Sequence, residues 1–263
     1  MKIVVCVKYV PDAQEERTFV PDDSTTDRTG GGGLLSELDE YAVEAALKLR
    51  DSDGGEVVAL TMGPAEAAEA VRKALQMGAD SGVHVLDAAL RGSDAPATSL
   101  VLAEAIRGIS EGGAVDLVLT GMASTDGGMS VVPAMLAERL GLPQVTFASE
   151  LGVDSGVVRI RRDGDVSTET IESRLPAVVS VTDQINEPRY PSFKGIMAAK
   201  KKPLRTWGLD DLGVDAGQVG SAGARTRVES FTARPPREKG EVVTDEGEGG
   251  LRLAEFLSAG KFV

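Results

Sequence analysis

Short runs rich in β-branched residues alternate with longer stretches of helical periodicity through the first 140 residues, and this alternation constrains the fold most. The apolar runs are KIVVCV at 2–7, EVVALTM at 56–62, GVHVLD at 82–87 and DLVLTGM at 116–122. Between the first two, residues 37–51 repeat Leu38, Ala42, Ala45, Ala46 and Leu49 at helical spacing, with Glu37, Glu40, Glu44 and Lys48 on the other faces. A second helix is expected over 65–78, because Gly63-Pro64 precedes it and Gly78 follows it. Strands this apolar, separated by crossover helices, require a parallel sheet covered on both faces. The expected fold is α/β: a doubly wound, mostly parallel, Rossmann-like sheet.

The pattern changes after residue 150. Residues 156–172 alternate in polarity around Asp163-Gly164, which predicts a β-hairpin. The run Ala177 to Val181 restores a buried strand, and a loop with Asn186, Pro188 and Pro191 leads into the helical segment GIMAAKKK. We place the end of the sheet there, with an α/β domain over 1–202 that includes the hairpin and a loop at 184–202. From 203 to 263, Pro, Gly, Ser, Asp and Glu dominate, as in an extended arm. Its last stretch, with Leu251, Leu253, Phe256 and Leu257, either packs on another surface or frays as a tail.

Composition excludes several functions. A formal net charge of −13 argues against nucleic-acid binding and against binding to anionic membranes. No run of apolar residues is long enough to span a bilayer, and the first strand carries Lys8 and no cleavage site, so membrane insertion and export are not expected and a cytoplasmic location is. Cys6 is the only cysteine and His84 the only histidine; both lie in apolar strands, where an inert thiol and a hydrogen-bonded imidazole are expected, and no metal site is predicted. GxSxG, HExxH and Cys-His arrangements are missing, so no catalytic residue is assigned.

One segment is built for a ligand. In DLVLTGMASTDGGMSVVPAMLAERL a strand ends at Gly121, a small polar loop follows, and a helix then begins. Ligands collect beyond the carboxyl ends of parallel strands, where helix N-termini present free N–H groups. Gly121, Gly127 and Gly128 allow close approach of backbone to phosphate, and Ser124, Thr125 and Ser130 offer hydroxyls. Asp126 either caps the helix or accepts from a ribose hydroxyl. A second glycine cluster, TGGGG at 29–33, matches no phosphate-loop spacing; it ends a long connection, 9–35, read as functional or partner-contacting.

The segment RLPAVVSVTDQINEPRYPSFKGIMAAKKKPL at 174–204 closely resembles the signature of electron transfer flavoprotein beta subunits. VCVKYVPD, DEYAVEAALKL, TMGPAEAAEAVRKALQMGAD, TGMASTDGGM and LGLPQVTFASEL resemble the family in the same order, over essentially residues 1–215. The resemblance implies a heterodimer with an alpha subunit that holds most of the FAD. It also implies that this chain buries a structural AMP and accepts electrons from dehydrogenases such as acyl-CoA dehydrogenases, without a catalytic site of its own. By motif, the nucleotide would touch Cys6 at the first strand, Ser36, Glu37, Leu38 and Asp39 at the first helix start, and Met62 after the second strand. It would also touch the loop that runs from Gly121 through Met122, Ala123, Ser124, Thr125 and Asp126, and on through Gly127, Gly128, Met129, Ser130 and Val131 to Val132.

Two runs depart from the animal-type pattern: Ser36-Glu37-Leu38-Asp39 replaces Asn-Pro-Phe-Cys, and DGGMSVVP from Asp126 replaces DDDCNQTG. The electron-bifurcating branch holds a second FAD in the AMP place, so either occupant fits the resemblance. Ala13 stands where some relatives place an aromatic near the flavin, leaving Leu38 to approach the ring. The family's dehydrogenase-docking loop maps here onto Phe193 as its anchor, with Lys194, Ile196, Met197 and Lys200 beside it; read on its own, Phe193 is equally a core residue. The extended arm is expected to contact the alpha subunit. The competing class is a stand-alone adenine-nucleotide sensor built on the same sheet.

Overall fold

The computed structural model describes residues 1–15, 17–22, 24–28, 32–232, 234–236, 239–240 and 242–263. The chain divides into two compact units, Met1–Glu229 and Ser230–Val263. In the first, β1 (Lys2–Cys6) is followed by the short strands β2 (Tyr9–Pro11) and β3 (Gly33–Leu35), then by α1 (Glu37–Asp53) and β4 (Glu56–Met62). Next come α2 (Ala68–Met77), β5 (Ser81–Val85), α3 (Ala95–Glu111), β6 (Leu117–Gly121) and α4 (Val132–Leu140). They are followed by β7 (Gln144–Ala148), β8 (Glu150–Asp154), β9 (Val157–Asp163), β10 (Thr168–Arg174) and β11 (Ala177–Val181). The unit closes with α5 (Phe193–Ala199), β12 (Leu204–Trp207) and a single turn, α6 (Gly220–Gly223).

Seven strands form one sheet in the order β12-β5-β4-β1-β6-β11-β7, and every pairing in it is parallel. The doubly wound arrangement follows from side-chain alternation. Ile3 and Val5 face a core shared with α1 and α2, while Val4 and Cys6 face a second core shared with α3 and α4. Helix ends follow local chemistry. Asp94 caps α3 by accepting from Ala97 N–H at 3.0 Å, Pro133 opens α4, and Gly141 at φ 66° ends it. His84 is buried and its Nε2 lies 3.1 Å from the Gly63 carbonyl, the satisfied strand residue expected.

Three expectations change. The sheet does not end near residue 202: β12 adds in parallel to β5, and Leu209, Val214 and Val219 beyond it are buried. A four-residue edge strand with two exposed positions is too short to show periodicity among Gly and Asp neighbours. The predicted hairpin is β9–β10, with residues 164–167 as its loop, but it belongs to a three-stranded antiparallel ribbon with β8. Ser155 and Gly156, both at positive φ, make the tight turn between β8 and β9. Glu44, placed on a polar face by periodicity, is 3% exposed and paired with Arg189 from the 184–202 loop. Of the glycine cluster at 29–33, Thr29, Gly30 and Gly31 lie outside the described residues.

In the second unit, α7 (Gly249–Ala259) carries Leu251, Leu253 and Phe256, each about 60% exposed within this chain. Its Phe256 ring packs near that of Phe262, with centroids 6.1 Å apart. Among the described residues no helix is long and apolar enough to cross a membrane.

Candidate nucleotide site and docking loop

The strand order reverses beside β1. The chain winds outward through β4 and β5, then returns to place β6 on the other side of β1. Such a reversal opens a crevice beyond the carboxyl ends of the strands, here at Cys6, Met62 and Gly121. The start of α1 is bound into it. Asp39, 6% exposed, accepts from Lys8 N–H at 2.8 Å and from Gly121 N–H at 3.3 Å, so one carboxylate ties the ends of β1 and β6 together. Ser36 is fully buried; its N–H donates to the Lys8 carbonyl at 2.9 Å and its Oγ accepts from Thr125 N–H at 3.3 Å. Gly121 has to be glycine: a Cβ would sit 2.6 Å from Asp39 Oδ1 and 2.7 Å from the Leu38 carbonyl.

The structure thus brings Cys6, Ser36, Asp39 and the start of the Gly121 loop to one place, with half-buried Leu38 between Ser36 and Asp39 and half-buried Met62 ending β4. Glu37 is exposed. Burial, reinforced by the Asp39 charge, pushes the Cys6 thiol up to about 12, so it stays a neutral, apolar wall. Burial likewise raises Asp39 to about 7, against the two N–H bonds that favour its ionised form. The loop folds back on itself through Gly128 N–H to the Ser124 carbonyl at 2.9 Å, with Gly128 and Ser130 at positive φ and Met129 60% exposed. Val131 precedes α4 with no side-chain cap, and Pro133 in the first turn has no N–H that would need one.

Asp126 does not cap α4. Its side chain is 0% exposed and is held by Lys8 Nζ at 2.7 Å and Arg28 Nη2 at 2.6 Å. Burial alone would raise its pKa, but the charges of Lys8 and Arg28 outweigh that and hold the carboxyl well below the usual range. Arg17 adds a third cation, donating to the carbonyls of Asp126, at 2.9 Å, and Thr125. Sequence reasoning missed Lys8, Arg17 and Arg28 as site residues. A lysine interrupting the apolar first run was the available signal for Lys8. The length of the 9–35 connection was the signal for the two arginines, since both reach the loop from it.

Away from the crevice, the 184–202 loop displays its aromatic residues. Phe193 is 80% exposed and Tyr190 93%, which removes the core reading of Phe193. Met197 is 48% exposed and Ile196 37%, and both lie on α5 with Lys194. Lys200 follows that helix, also exposed. Ser192 starts α5 by accepting from Gly195 N–H at 3.0 Å.

Residues 24–212 match the family model described as the electron transfer flavoprotein domain. A curated relative, the electron transfer flavoprotein subunit beta of Mycobacterium tuberculosis, is 46% identical over 266 residues, covering 99% of both chains. This chain belongs to the electron transfer flavoprotein family. Within that family it is similar to the beta subunit of Clostridium acetobutylicum, 35% identical over 92% of each chain. It is also similar to a protein named caffeyl-CoA reductase-Etf complex subunit CarD from Acetobacterium woodii, 36% identical over 93% of this chain and 92% of the relative. As an electron transfer flavoprotein beta subunit, the chain works in electron transfer, and flavin chemistry belongs to that work.

Proposed function

We propose that this beta subunit pairs with an alpha subunit, holds a structural AMP in the β1–β6 crevice, and docks acyl-CoA and related dehydrogenases through the Phe193 loop. The observation that carries the nucleotide reading is the crevice itself. It combines a glycine that admits no Cβ, a glycine-bearing loop, an uncapped helix start and three cations at the switch point of a parallel sheet. These residues fit an adenine nucleotide: Cys6 and Met62 provide apolar wall, and Lys8, Arg17 and Arg28 offset phosphate charge.

Shared FAD supplies the electron chemistry when bound, and this chain's residues bind, orient and dock. Exposed Leu251, Leu253 and Phe256 of α7 give the alpha subunit an apolar surface to cover. A second FAD in the AMP place is the alternative; one similar chain is named as a subunit of a caffeyl-CoA reductase-Etf complex. Isolating the tagged complex, denaturing it and quantifying released nucleotides tests the proposal. One FAD and one AMP per heterodimer is the expected result. Two FAD and no AMP would establish the alternative, and a colourless chain without a second subunit would overturn both.

A further inference from the structure

No residue from Asn186 to Ala198 is buried; the apolar anchors of the stretch that carries Tyr190 and Phe193 lie at its two ends, where Ile185 and Ala199 pack against the core. It is held by polar contacts on two sides. On one side, Arg189 meets Glu44 of α1: Nε donates at 2.7 Å, Nη2 at 3.1 Å and the backbone N–H at 3.2 Å. Arg189 Nη2 also reaches Asp51 at 3.1 Å, and Asn186 Nδ2 donates to the Tyr41 carbonyl at 3.0 Å. Tyr41, Glu44 and Asp51 fall at helical spacing, so α1 meets the loop along one face, through the Tyr41 carbonyl and the two carboxylates. On the other side, Gly195 approaches α2 so closely that a Cβ would lie 2.7 Å from the Gln76 carbonyl. Lys202 Nζ also donates to the carbonyls of Leu75 at 3.0 Å and Ala79 at 2.6 Å.

We infer that Arg189, through the buried carboxylate of Glu44, is the positioning residue of the docking loop: it fixes the backbone from which Tyr190 and Phe193 project, so that a dehydrogenase meets two pre-set aromatics. The inference rests on the docking reading above. A loop without buried side chains would otherwise have to be ordered at each encounter, and that ordering weakens association. Glu44 is suited to act through Arg189 alone, because at 3% exposure it cannot touch a partner.

The test uses the purified heterodimer as the varied substrate of an acyl-CoA dehydrogenase reduced by its acyl-CoA. Arg189→Met and Glu44→Leu should each raise KM for the heterodimer about tenfold, with kcat and FAD content nearly unchanged and Arg189→Lys intermediate. Amide exchange at Gly195 and Ile196 should quicken in Arg189→Met while the amides of β1 keep their protection. If Arg189→Met raises KM but Glu44→Leu does not, Arg189 acts by contact and the positioning role is wrong. If neither variant moves KM or loop exchange while Phe193→Ala does raise KM, the clamp is irrelevant and the docking reading survives. If Phe193→Ala is also without effect, the docking reading falls, and the inference with it.

Discussion

Replacing Asp39 by Asn probes the knot between β1, β6 and α1. The carboxylate is buried and its ionised form is stabilised chiefly by two N–H bonds, from Lys8 and Gly121. Burial wins that contest and raises the group from 3.8 to about 7. A carboxyl whose folded pKa lies above its unfolded value contributes stability that is complete below the unfolded pKa and is lost as pH rises through the folded one. A separation of about three pH units corresponds to an upper bound of about 4 kcal/mol. Asn cannot titrate, and one of its two terminal atoms cannot accept, so the variant lies about 1 kcal/mol below the wild type at low pH and carries no such slope. Urea unfolding from pH 4 to pH 8 should therefore show the wild-type chain losing ground to Asp39→Asn by up to about 4 kcal/mol as pH rises. A difference constant to within about 0.5 kcal/mol would mean that Asp39 is ionised throughout and that the N–H bonds outweigh burial.

Gly121→Ala should force the first turn of α1 away from β6, at about 2–3 kcal/mol, and should lower the nucleotide content of the purified complex; a normal urea midpoint with normal content would show that the turn can shift freely. Lys8→Met leaves the fully buried Asp126 with Arg28 as its only ion-pair partner among the described residues. Because Lys8 is itself partly exposed, the loss should be modest, about 1–2 kcal/mol at pH 7. The Asp126 pKa is depressed in the folded chain, so its contribution is present above the ordinary carboxylate pKa and fades as pH falls. The gap between wild type and Lys8→Met should narrow below about pH 4, and a gap that widens there would refute the assignment.

The parts of the fold that repeat were legible in the sequence. Apolar runs such as Ile3–Val7 and Val57–Leu60 read as buried strands because period and burial coincide there, and Gly78 and Gly141 mark helix ends through backbone conformation alone. What was missed depends on long-range partners. β12 becomes a strand only because β5 offers an edge, and Glu44 is inside only because Arg189, 145 residues away, reaches it. At the crevice, the glycines and small hydroxyls of the loop were readable from local chemistry, whereas Lys8, Arg17 and Arg28 were not. A lone cation in sequence has no address until the fold shows which carboxylate or carbonyl it faces.

The position of β11 bears on the order in which the chain can assemble. β7 is made more than thirty residues before β11, yet β11 is its only neighbour in the main sheet. Once β1, β4, β5 and β6 have paired, the flank of β6 must stay open until Ala177–Val181 arrives and slots between two segments already synthesised. During that interval the edge of a strand that ends wholly buried is without its partner, and the ribbon of β8, β9 and β10, laced by Arg159–Glu172, Arg161–Glu150 and Arg162–Glu169 pairs, is the charged spacer that separates the two halves.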